Sequence, residues 1–91
     1  MRIVLSTAAA AFICSLATVQ ASRASDFDTY VKCAMAANNR ANAQHCDAYK
    51  ESIACGEKAL AVAPNPRSAQ DVRGAIAHSR KAARQDGCRV D

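Results

Sequence analysis

The chain has 91 residues, a formal net charge of +4, an apolar content of 51% and an aromatic content of only 4%. That length leaves room for one small domain. The basic residues of the last third, 64–91, have no aromatic side chain among them, which argues against single-stranded nucleic acid, held as it is by stacking bases on aromatic rings.

Met1 and Arg2 precede an apolar run from Ile3 to about Val19, then small residues, then a polar segment that turns acidic at Asp26. This order is that of a secretory signal peptide. Ser6, Thr7, Ser15 and Thr18 interrupt the run, and a membrane-spanning helix needs roughly 20 apolar residues in succession. The segment therefore reads as a signal at residues 1–21, cut after Ala21, with no stable membrane insertion afterwards. Cys14 follows the bulky Ile13 in mid-run rather than the small residue of a lipoprotein site, and it leaves with the signal.

The mature chain, residues 22–91, contains 16 alanines and few large apolar side chains. Alanine favours helix but buries little area, and a domain of this size rarely holds together without staples. Four cysteines remain, Cys33, Cys46, Cys55 and Cys88. An even number in a small exported protein predicts two disulfides. The expected home is the bacterial periplasm or the extracellular medium.

The first helix is predicted to begin at Asp26, with Ser25 and Asp28 forming a capping box. Phe27, Tyr30, Val31 and Ala34 recur at helical spacing, and the polar stretch from Asn38 to Asn42 reads as the first loop, with room to extend as far as Cys46. A second helix is predicted from about Asp47 to Ala63, stopped by Pro64-Asn65-Pro66. Tyr49, Ile53, Gly56, Leu60 and Ala63 line one face, and Ala48, Ser52, Cys55, Ala59 and Val62 line another about 100° away. Lys50, Glu51, Glu57 and Lys58 take the remaining side. Two adjacent apolar faces suit the middle member of a three-helix bundle. The third helix is predicted from an N-cap at Ser68, with Ala69, Val72, Ile76 and Ala83 on its inner face, to Gly87. The fold class expected is an all-α, up-down-up three-helix bundle clamped by two disulfides.

Three pairings are open to four cysteines. Nine steps of about 100° put Cys46 and Cys55 on opposite sides of one helix, so they do not pair with each other or share a metal. Folding the first helix back on the second, at about 1.5 Å per residue, brings Cys33 level with roughly residue 52, close to Cys55. The same folding sets Cys88 beside Cys46. The expected bridges are Cys33–Cys55 and Cys46–Cys88, each stabilising by about 2–4 kcal/mol. His45 has no second histidine or cysteine at ligand spacing, and there is no CxxC, CxxCH or HExxH. No metal and no cofactor is expected.

Paired cysteines on antiparallel helices invite comparison with twin CX9C proteins, but twelve residues separate Cys33 from Cys46 and eight separate Cys46 from Cys55, which does not fit that pattern. The stretch ESIACGEKALAVAPNP is similar to the second helix and exit turn of a tetratricopeptide repeat, with Tyr49, Ile53, Ala59, Leu60 and Pro64 at matching offsets. Such repeats come in arrays, and here there is one copy over less than a quarter of the chain. The resemblance implies a helical hairpin and no ligand.

No catalytic constellation is visible. His78 and Ser79 are adjacent on a helix and face different directions, so a non-enzymatic protein is expected. Charge is the asymmetric feature. Residues 22–63 carry five basic and five acidic side chains, whereas residues 64–91 carry six basic and three acidic. Arg73, Arg80 and Arg84 fall within about 40° of one another around the third helix. They are the candidate partner-binding residues, for an anionic protein or cell-envelope component. The expected function is a small exported binding or inhibitory protein. The alternative is a secreted cationic effector or toxin, which the alanine-rich third helix suits poorly because it lacks a bulky apolar face.

Overall fold

The computed structural model describes residues 24–90; the signal-peptide reading falls outside them. Among the described residues there are three helices: α1 over 24–40, α2 over Cys46–Ala61 and α3 over Pro66–Gln85. They run up, down and up. Tyr30 faces Lys58 and Ala34 faces Ser52 across α1–α2, while Gly56 meets Ile76 and Tyr49 meets Asp86 across α2–α3. Falling numbers opposite rising ones make each pair antiparallel. The middle helix buries Ala48, Ser52, Cys55 and Ala59 on one side and Tyr49, Ile53 and Gly56 on the other, the two faces its sequence carries.

The apolar interior is in two parts. Ile53, Ala59, Val72 and Ile76 form the central cluster, with Phe27, Tyr30, Val31, Leu60 and Val90 packed around it. Tyr49, Ala83 and Cys88 form a second cluster at the end where α3 finishes. The disulfides Cys33–Cys55 and Cys46–Cys88 join one residue of α1 to α2 and the start of α2 to the segment after α3, with Cα atoms 5.9 and 5.4 Å apart.

The helix ends depart from the sequence expectations in three places. Ser25 does not cap α1. It already lies within helix, and its carbonyl accepts from Thr29 Oγ1 at 3.0 Å. The polar stretch at Asn38 to Asn42 is not all loop, since α1 continues through Arg40. Ala37 in that last turn is completely buried, and Arg40 is tied both to the Ala36 carbonyl and to Glu51 of α2. The true loop is residues 41–45, closed by Asn42, whose side chain accepts from the Gln44 backbone N–H at 2.8 Å.

The third departure is at the start of α3. The cap is Asn65, in extended conformation, and its side chain accepts from the N–H of Ser68 at 2.8 Å. Pro66 then occupies the first helical position, where a missing donor costs nothing and a fixed φ favours the helix. Ser68 is inside.

The other end of α3 follows its sequence closely. Gly87 takes φ +80°, a backbone region that side chains disfavour. Gly87 N–H donates to the Arg84 carbonyl at 3.1 Å and Cys88 N–H to that of Ala83 at 2.8 Å. That pair of bonds is a Schellman motif, which folds the chain back over the helix end. The turn lays Cys88 against Ala83 and so presents its sulfur to Cys46.

Candidate functional site

The face of α3 that bears Arg73, Arg80 and Arg84 looks away from α1 and borders α2. Arg80 does not stand free: its Nη2 lies 3.0 Å from Oε1 of Glu57 on α2, with the two side chains 41% and 57% exposed. A pair this open is worth about 0–1 kcal/mol, enough to hold the guanidinium over the groove without cancelling its availability. Arg73 is exposed and lines, with Arg80, Glu57, Leu60, Ile76 and Ala77, an open depression of about 270 Å³.

Beyond the Glu57–Arg80 bridge lies a second open depression of about 370 Å³, bounded by Lys50, Ile53, Ala54 and Val90. Arg84 is exposed one turn further along α3 and lines neither depression. The structure therefore brings Arg73 and Arg80 together at one groove and leaves Arg84 on its continuation, in the last turn of a helix whose negative dipole end favours a cation.

Sequence reasoning passed over Lys50, Glu57 and Val90. Glu57 and Lys50 lie on the polar side of α2, and nothing in the α2 sequence says which of its polar residues border α3. The signal available was angular. Residues 50, 54 and 57 fall just beyond the Tyr49–Ile53 stripe by the 100° repeat, and that stripe is the one α3 covers. Val90 reaches the site because the Schellman turn returns the chain toward α2.

A different surface lies between α1 and α3. Met35 is 63% exposed there and joins Ala34, Asn38, Ala75, His78 and Ser79 around a depression of about 190 Å³. Met35 is one of the few large apolar side chains of residues 22–91, and it lies outside the core. Ser52 donates to the Ala34 carbonyl at 3.0 Å and is thereby engaged. His45 is exposed, with Nδ1 3.0 Å from Asn42 Oδ1. Among the described residues no group of three or more His, Cys, Asp or Glu side chains could hold a metal ion, and no helix is long and apolar enough to cross a membrane.

The pKa of Tyr49 is displaced upward. Its hydroxyl donates to Asp86 Oδ2 at 2.5 Å. That hydrogen bond, then burial, then the negative charge of Asp86 all raise it above the ordinary phenol value. It acts as a latch between α2 and the end of α3, and its ring backs the Cys46–Cys88 bridge.

The chain matches no family model, no curated protein and no solved structure.

Proposed function

We propose that this is a small exported, non-enzymatic binding or inhibitory protein that meets an anionic partner through the basic side of α3. The observation that carries the reading is the placement of Arg73 and Arg80 on one open groove, with Arg84 in line on the next turn. Arginine grips carboxylate or phosphate in a bidentate manner, and Arg73 and Arg80 share their depression with the apolar side chains of Leu60, Ile76 and Ala77, a setting in which aliphatic stems can be covered while the guanidinium groups reach outward. Two disulfides hold the helices that carry these groups, so little ordering is left to be done on binding. They also suit an oxidising compartment, periplasm or medium.

The test is capture of partners from an envelope extract, comparing the parent protein with the variant Arg73→Gln, Arg80→Gln, Arg84→Gln. All three side chains are at least partly exposed, so the variant should fold nearly as well as the parent. A partner retained by the parent, released by added salt and lost by the variant supports the reading. Equal retention by both proteins at low salt contradicts it.

A further inference from the structure

The basic groove has a shape as well as a charge. Its two walls are antiparallel helices, and small exposed side chains line it, Ala54 on α2 and Ala77 on α3. Leu60 and Val90, each half-buried, supply larger apolar surface at its two ends. Lys50, Arg73 and Arg80 stand along its rim against the single carboxylate of Glu57.

From Arg73 to Arg84 the rim runs eleven residues of helix, about 16 Å at 1.5 Å per residue. That is three turns of a helix laid alongside. Small side chains lie on either side of the exposed Glu57–Arg80 pair, and that pair, worth only about 0–1 kcal/mol, gives way to a helix laid alongside. On the opposite side of the α2–α3 pair that place is already filled, by α1.

We infer that the partner of this surface is an acidic amphipathic helix, laid in the outer α2–α3 groove so that it completes a four-helix arrangement. Its apolar stripe sits over Ala54, Ala77 and Leu60, and its flanking carboxylates meet Lys50, Arg73, Arg80 and Arg84. This deepens the basic-face reading and rests on it. It commits to a protein helix as the occupant, since a charged polymer or lipid headgroup would have no use for the small, apolar floor. Helix-in-groove recognition has this form, apolar anchors for affinity and rim charges for orientation.

The test uses a designed helical peptide of about 18 residues, with an alanine-leucine stripe flanked by glutamates. Its controls are a peptide of the same composition with the stripe scrambled, polyglutamate, and vesicles rich in anionic lipid. The parent protein should bind the striped peptide at least about tenfold more tightly than the scrambled one or polyglutamate. Two variants separate the claims. Ala54→Gln with Ala77→Gln fills the floor at exposed helical positions while every charge is kept, and the triple arginine-to-glutamine variant removes charge and keeps the floor. Loss of peptide binding in both supports the inference. Loss only in the arginine variant, or equal binding of striped peptide, scrambled peptide and polyglutamate, overturns the helix and leaves the basic face standing. Loss only in the alanine variant overturns both. Preference for vesicles over the striped peptide, or no binding of the peptide by the parent at low salt, overturns the inference outright.

Discussion

The two sides of α3 are built on different terms. Toward α2 it is drawn in close: Gly56 offers no Cβ, and one placed there would stand 2.8 Å from Ile76 Cγ1. The same seam carries the Tyr49–Asp86 hydrogen bond, the Glu57–Arg80 ion pair and, at its end, the Cys46–Cys88 bridge. Toward α1 the surface is lined by Ala34, Met35, Asn38, Ala75, His78 and Ser79, with Met35 in solvent. The hairpin of α2 and α3 is thus the structural unit on which the basic groove is mounted. What holds α1 is its own disulfide, the packing of Phe27, Tyr30 and Val31 against the central cluster, the Arg40–Glu51 ion pair and the Ser52–Ala34 hydrogen bond.

If that contrast is right, the largest loss of stability should come from opening the bridge that closes the hairpin. Residues 46 and 88 are 42 apart in sequence and residues 33 and 55 are 22 apart. Chain-entropy arguments then assign about 4 kcal/mol to the first and about 3.4 kcal/mol to the second. Cys46→Ala with Cys88→Ala should lower the urea midpoint more than Cys33→Ala with Cys55→Ala. The reverse order would move the structural centre to the α1–α2 pair.

Two glycines sharpen the comparison because they should respond with opposite sign. Gly56→Ala gains about 1 kcal/mol of helix propensity but must displace Ile76, at an overpacking cost of about 1–3 kcal/mol; a net loss of roughly 1 kcal/mol is expected. Gly74 lies exposed within α3, and a Cβ there meets nothing within 4 Å, so Gly74→Ala should stabilise by about 0.5–1 kcal/mol. Thermal unfolding of the two variants decides the matter. Stabilisation by both would mean that α2 and α3 are not in intimate contact.

Tyr49→Phe tests the latch between those helices. The folded-state pKa of Tyr49 is raised above 10.0, so its contribution is fully present below pH 10 and is lost as pH rises through the higher folded value. The parent should be more stable than the variant in urea at neutral pH, and the gap should close at strongly alkaline pH. A gap independent of pH would mean that the hydroxyl is not bonded to Asp86. The smallest effect belongs to the α1 side. Met35→Gln should change stability by no more than about 0.5 kcal/mol, because Met35 is 63% exposed.

The disulfide pairing was legible in the sequence because it depends on axial level alone, and helical rise sets that level whatever the side chains do. The two faces of α2 were legible for the same reason, from a fixed angular step. The α1 terminus was not. Its last turn is held by Ala37 and by the reach of Arg40 to Glu51, and neither an alanine nor a long-range ion pair marks a hydropathy pattern. Asn65-Pro66 is a cap followed by a first-turn proline, yet beside Pro64 it reads equally as a breaker. At the candidate site, Arg73, Arg80 and Arg84 share a face by periodicity. Which of them borders α2, and that Glu57 sits opposite Arg80, depends on how two helices are rotated about their axes.

The most direct test of that rotation and of the groove it creates is an NMR titration of the uniformly labelled protein with the striped acidic peptide. The account predicts that backbone amide shifts concentrate at Ala54, Glu57, Ala77 and Arg80, with Met35, Asn38, Ala75 and His78 unmoved. Shifts concentrated on the second group would place recognition between α1 and α3 and contradict the account.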